Sequence, residues 1–315
     1  MDPARPHPPA GQPRAPIGDR LAGAVETRAS QLVLGLDPDP ARLWPGAAEA
    51  APAAGSPAQR AGAAVAAHCV AVIDAAGPAC VAVKPQLACF ERLGAPGWAA
   101  LERTVAHARA GGLLVLADGK RGDVPVSAAA YAQAQLTSTP TPFGDVPGLG
   151  ADLMTANPLL GRDALVALLE GARAAGAGVI ALVRTSNPGA ADVQDLHAEG
   201  APLWERLAAL VDRLGEPAPR SGLTDLGAVL GATNPQHLGR AREIMPRAPF
   251  LLPGVGAQGG RVEDLGPAFA AGRAGALVTA SRSIAAAHEH QGGDPAAAAR
   301  REAERLREAV WALSA

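Results

Sequence analysis

The chain has 315 residues, a formal net charge of −2, 48% hydrophobic residues and 3% aromatic residues. The near-neutral balance argues against a binder of phosphate backbones, and the scarcity of rings argues against a base-stacking platform for single-stranded nucleic acid. The 37 glycines and 29 prolines stay below the level at which a chain fails to fold, and the length suits one large α/β domain.

Residues 1–16, MDPARPHPPAGQPRAP, are proline-rich and lack an apolar segment. They read as a disordered tail, with the folded domain expected over 17–315. A helix is expected over 17–29. Short apolar runs then recur: QLVLGL (31–36), CVAVK (80–84), LLVLA (113–117), DLMTA (152–156), VIALVR (179–184), GAVLGA (227–232), FLLPG (250–254) and ALVTA (276–280). Continuous apolar runs of this length suit strands buried on both faces of a parallel sheet. Helical patterns lie between them, over 58–76, 98–110, 126–136, 162–175, 203–214, 235–245 and 262–271. A last helix over 295–313 closes the chain. Eight β–α units predict a single (β/α)8 TIM barrel with an extra helix at each terminus. A doubly wound open sheet is the alternative, but no G-x-G-x-x-G follows the first strand.

The most apolar window, 61–83, is broken by His68, Asp74 and Gly77-Pro78, so it reads as helix, turn and strand, not as a membrane span. The stretch 137–150, TSTPTPFGDVPGLG, reads as a loop insertion. Cys69, Cys80 and Cys89 form no C-x-x-C pair and read as buried thiols in a reducing compartment. The expectation is a soluble cytoplasmic protein with no nucleic-acid or membrane partner.

In a TIM barrel the residues just beyond each strand line the active end. Here they are Asp37, Lys84, Asp118 with Lys120, Asn157, Ser186-Asn187, Thr233-Asn234, 254–258 and Ser281-Arg282. Of the 28 basic residues only Lys84 and Lys120 are lysines, and both fall on this face. Lysine offers what arginine does not: a compact ammonium able to give up a proton near neutral pH. The densest cluster, Asp118-Gly119-Lys120-Arg121-Gly122-Asp123, is placed directly after the third strand. Flanking carboxylates keep its ammonium charged. That suits it to stabilise a developing anion and then protonate it, and not to attack as a neutral amine. The competing reading is a solvated surface cluster. The histidines show no metal-binding spacing, so no metal or cofactor is expected. Arg184, ending the fifth strand, fits either a site residue or a barrel salt bridge.

The D-x-K-x-x-D element after a buried strand resembles the orotidine 5′-phosphate decarboxylase family. The resemblance runs from about 30 to 285 and includes LGLDP ending in Asp37-Pro38, VAVKPQ around Lys84, TSNPG (185–189), PGVGAQGG (253–260) and ASRSI (280–284). It is strongest to the longer bacterial branch. It implies cofactor-independent decarboxylation of orotidine 5′-phosphate to UMP in pyrimidine synthesis, by an obligate homodimer. Lys120 would stabilise and protonate a C6 carbanion, and Asp118 would orient it beside the leaving carboxylate. Asp123 would reach the neighbouring subunit's site. Asp37 and Lys84 would complete an alternating charge array and hold the ribose hydroxyls. Ser127 stands where many relatives have threonine, and Ser186 would hold the pyrimidine edge. Arg282, Gln258 and the backbone N–H groups of 254–260 form the expected phosphate cradle. The rival within the same barrel group is a Mg²⁺-dependent sugar-phosphate decarboxylase or aldolase, which carries an acidic residue where Lys84 stands. A non-catalytic phosphate-binding barrel is the rival of another class.

Overall fold

Eight strands alternate with helices in chain order, and each hydrogen-bonds to its sequence neighbours until the eighth pairs with the first. The computed structural model describes residues 14–256 and 258–314. The barrel strands are β1 (Leu32–Leu36), β2 (Ala82–Pro85), β3 (Leu114–Arg121), β4 (Leu153–Ala156), β5 (Gly178–Arg184), β6 (Leu226–Leu230), β7 (Phe250–Pro253) and β8 (Ala276–Ala280). Every pairing is parallel; β1 meets β2 at Val33 and Ala82, and β8 at Leu32 and Val278. The chain is thus a TIM barrel, as its apolar runs predict.

Strand side chains alternate between two faces. Val33, Ala82, Leu116, Leu153, Ile180, Val229, Leu251 and Leu277 fill the barrel interior, and Ile17, Leu21 and Val25 of α1 (Ile17–Arg28) close its N-terminal mouth. Leu32, Leu34, Val83, Val115, Met154, Val179, Phe250 and Val278 face outward, into the layer between barrel and helices. Each fully buried side chain of this size contributes about 1.5–3 kcal/mol relative to exposure.

Helices α2 (Pro57–Ala76), α3 (Ala95–Ala110), α4 (Pro125–Gln135), α5 (Arg162–Ala174), α6 (Leu203–Leu214), α7 (Leu238–Ile244) and α8 (Pro295–Leu313) follow in order. Ser56 and Gln59 form a reciprocal capping box at the start of α2, with Pro57 at its first position. With its 3₁₀ extension this helix is long and apolar enough to span a bilayer. Instead it packs against α3 and α8 and leads through a turn into β2.

Four expectations change in detail. β3 continues to Arg121, so the D-G-K-R segment lies in the strand and not beyond it. Residues Val262–Ala271 form a 3₁₀ helix that contains Pro267, whose ring would clash with the carbonyl four residues back in an α-helix. The 137–150 insertion pairs Ser138–Thr139 with Val146–Pro147 as a small antiparallel hairpin. Of the expected tail, residues 1–13 lie outside the described residues, but Arg14 is anchored: it donates to Ala175 O and pairs with Asp152 at 3.0 Å. Arg20 meets the same carboxylate at 2.5 Å, whose other oxygen accepts from Val115 N at 2.9 Å.

Candidate active site

The two-residue period that packs the interior also builds the site. Two residues beyond the inner apolar layer stand Lys84, Asp118, Thr155, Leu182 and Thr279, all at the C-terminal end of the barrel. They line a cavity of about 540 Å³, together with Asp37, Gln86, Lys120, Ser186, Gln258 and Arg282.

Asp118 is the hub and is only 4% exposed. Oδ2 accepts from Lys84 Nζ at 2.6 Å and from Gln86 Nε2 at 3.3 Å. Oδ1 accepts from Lys120 Nζ at 2.6 Å and from Thr155 Oγ1 at 2.9 Å. Two donors on each oxygen match the hydrogen-bonding capacity of an ionised carboxylate. Burial alone would raise the Asp118 pKa, but the two ammonium groups hold it down at about 2. Burial opposes the charge on Lys84 in turn, while Asp118 and Asp37 raise its pKa above the usual lysine value. The array therefore alternates in sign, Asp37, Lys84, Asp118, Lys120, and each charge is stabilised by its neighbours.

Lys120 sits where the β3–β4 register shifts, between Ala117 and Arg121. Its φ is +49°, in the left-handed region that costs a non-glycine residue about 1–2 kcal/mol. Such irregularities at barrel rims re-aim side chains. Here the Lys120 N–H leaves the strand ladder to donate to Thr155 Oγ1 at 2.8 Å, and the side chain stays 44% exposed on the cavity wall.

Across the cavity, Ser186 Oγ donates to Gln258 Oε1 at 2.9 Å. The approach behind Ser186 requires glycine at 231, where a Cβ would lie 2.6 Å from Ser186 Cα. Arg184 resolves to the salt-bridge alternative. It is buried and grips Asp195 with Nε and Nη2 at 2.8 and 2.9 Å, fixing the segment that carries Ser186. Arg282 is exposed on the cavity rim, at the start of the short helix Arg282–Ala285. The glycine-rich turn is less open than expected. The N–H groups of Gly256, Gly259 and Gly260 donate to carbonyls within the turn itself, so those three amides are spent on its shape.

Asp37, Lys84, Asp118, Lys120, Ser186, Gln258 and Arg282 thus meet around one cavity. Asp123 and Ser127 do not. Both are half-buried at the start of α4, and the Asp123 carboxylate accepts from the Val124 amide at 2.8 Å. They stand beside Val124 and Val126, which are 57% and 85% exposed. Thr155 and Gln86 are additional members that the motif reading passes over. Their signal was inward parity, since each lies two residues beyond an inward-facing position on its strand.

The Orotidine 5′-phosphate decarboxylase / HUMPS family model matches residues 30–301. The chain is 46% identical over 218 residues to the orotidine 5′-phosphate decarboxylase of Deinococcus radiodurans, covering 68% of this chain and 74% of that one. It is 40% identical over 272 residues to the enzyme of that name from Haloarcula marismortui, covering 86% and 87%. The structure of Leishmania donovani OMP decarboxylase superposes with a TM-score of 0.68 at 30% identity, covering 93% of this chain and 98% of that one. The chain belongs to the orotidine 5′-phosphate decarboxylase / HUMPS family.

Proposed function

We propose that the protein decarboxylates orotidine 5′-phosphate to UMP, with Lys120 as the acid and no metal or cofactor. The observation that carries this reading is the alternation of Lys84, Asp118 and Lys120, the first two buried and the third open to a cavity that also holds a rim arginine. Breaking the C6–carboxylate bond leaves its electron pair in the ring plane, where the π system cannot spread it. A fixed ammonium beside C6 is then the available stabiliser. Unit charges ~3 Å apart at an effective dielectric of ~20 interact by about 5 kcal/mol, or ~10⁴ in rate. Lys120 Nζ then delivers a proton to C6, CO₂ departs, and the neutral amine regains a proton from solvent.

Asp118 remains anionic throughout the neutral range and orients Lys120 through the 2.6 Å contact. Asp37 and Lys84 bind the ribose hydroxyls, Ser186 the pyrimidine edge, and Gln258 and Arg282 the phosphate. Enzymes commonly supply ~8–23 kcal/mol, so the remainder is drawn from binding parts of the substrate that do not react, the phosphate first.

Asp123 and Ser127 enter a homodimer's second site. Their position outside their own cavity, next to exposed valines, supports that arrangement. The reaction and the unpaired, buried thiols of Cys69 and Cys80 suit a cytoplasmic location, whereas Cys89, expected to be buried, is only half-buried; burial pushes Cys69 and Cys80 up to about 12.

The donor set favours this reading over the Mg²⁺-dependent one. A divalent cation at Asp118 would need lone pairs already given to four donors, two of them ammonium groups. The test is the loss of orotidylate absorbance with and without EDTA. Turnover unaffected by chelator is expected; no turnover, or turnover abolished by EDTA, refutes the proposal.

A further inference from the structure

We infer that Thr155 is a positioning residue for this chemistry: its hydroxyl closes a hydrogen-bonded ring that fixes both the Lys120 backbone and the Asp118 carboxylate. The inference rests on the reading above for its catalytic consequence, but its geometry is independent of it.

The ring has three members. The Lys120 N–H donates to Thr155 Oγ1 at 2.8 Å, Thr155 Oγ1 donates to Asp118 Oδ1 at 2.9 Å, and Lys120 Nζ donates to that same oxygen at 2.6 Å. One hydroxyl thus accepts from the main chain of the acid and donates to the carboxylate that aims its side chain. Thr155 is 1% exposed, so water does not compete for either bond. β4 runs beside β3 with Met154 opposite Ala117, and the register resumes only at Arg121 and Ala156. The Thr155 hydroxyl fills that gap in the ladder. It supplies the acceptor that the diverted Lys120 amide would otherwise lack, at the one non-glycine residue of the described cavity lining with a positive φ. A buried N–H without an acceptor is costly, so the hydroxyl holds Lys120 in its left-handed conformation.

A β-branched residue was the expected occupant of a buried strand position, and valine would fill the same space. What valine lacks is the hydroxyl. Without it, Asp118 Oδ1 keeps only Lys120, and the Lys120 amide keeps no partner within the ring. The ammonium is then less well placed when charge develops at C6. The effect falls on the chemical step and spares ground-state binding, because Thr155 has no assigned contact with ribose or phosphate.

The experiment compares wild type with Thr155→Val and Thr155→Ser, using orotidylate turnover and the NMR signals of isotope-labelled lysine side chains. Only two lysines are present, so the spectrum is simple, and Lys120→Arg assigns it. Thr155→Val should lower kcat ~10- to 100-fold, the span of one hydrogen bond to a charged group, and leave KM within about threefold. The Lys120 signal should move. Thr155→Ser should return kcat to within about threefold of wild type and return the signal too. A valine variant with unchanged kcat and unchanged lysine signal overturns the inference. So does a rise in KM at constant kcat, and so does a serine variant as impaired as the valine one. If valine prevents folding, Thr155→Ala serves in its place under the same criteria. Wild type that does not turn over orotidylate would refute the reaction, while the lysine signals would still decide whether the ring exists.

Discussion

Replacing Asp118 by asparagine tests the charge array through stability alone. The amide keeps the shape but offers one acceptor oxygen, and its NH₂ cannot accept from an ammonium. Lys84, 6% exposed and 2.6 Å from the carboxylate, loses its closest counter-charge. Breaking a buried ion pair from one side costs ~3–5 kcal/mol. The Asp118 pKa, lowered from 3.8 to about 2, independently implies about 2 kcal/mol of stability in the charged form. Because the folded-state value is depressed, that stability is complete above about pH 4 and is lost as pH falls towards 2. We therefore expect Asp118→Asn to lose ~3 kcal/mol at pH 7, a fall of about 5 °C in Tm for a 315-residue chain. Urea unfolding at one protein concentration, at pH 7 and pH 3, measures it. The penalty should shrink at pH 3, where wild type has lost part of its own advantage. Adding Lys84→Met should restore part of the loss, since the stranded cation is then gone. A single variant that unfolds at the wild-type urea midpoint at pH 7 would refute the buried-array account.

Arg282→Ala should weaken binding of orotidine 5′-phosphate by ~10-fold or more, as expected for a charge-assisted contact, and spare the phosphate-free nucleoside; titration of both ligands checks this. Mixing inactive Asp123→Ala and Lys120→Ala protomers should restore part of the activity, because one site of each hybrid dimer is then complete. Absence of rescue after demonstrated subunit exchange would contradict a shared site.

The barrel was legible because all eight strands are buried on both sides and stand out as apolar runs between helical patterns. The end of β3 was not. Gly119, Lys120 and Arg121 have neither the hydrophobicity nor the propensity of a strand, and only their placement against β4 keeps them in the sheet. Lys84, Asp118 and Lys120 were legible as scarce or clustered charges at strand ends. Thr155 was hidden for the opposite reason: on an apolar strand a threonine looks like an ordinary β-branched residue, and its role lies in one hydroxyl. The glycine-rich turn misled in part, since glycine spacing signals tight backbone geometry without saying which amides remain free. Arg184 was ambiguous until Asp195, eleven residues on, folded back to meet it.

The most direct test of the central claim is single-turnover decarboxylation of orotidine 5′-phosphate by wild type and Lys120→Ala at saturating enzyme, with circular dichroism to verify the fold. Losing an ammonium worth about 5 kcal/mol at C6 predicts a rate lower by ~10⁴ or more in a folded variant. A folded Lys120→Ala protein that decarboxylates within tenfold of wild type would contradict the account.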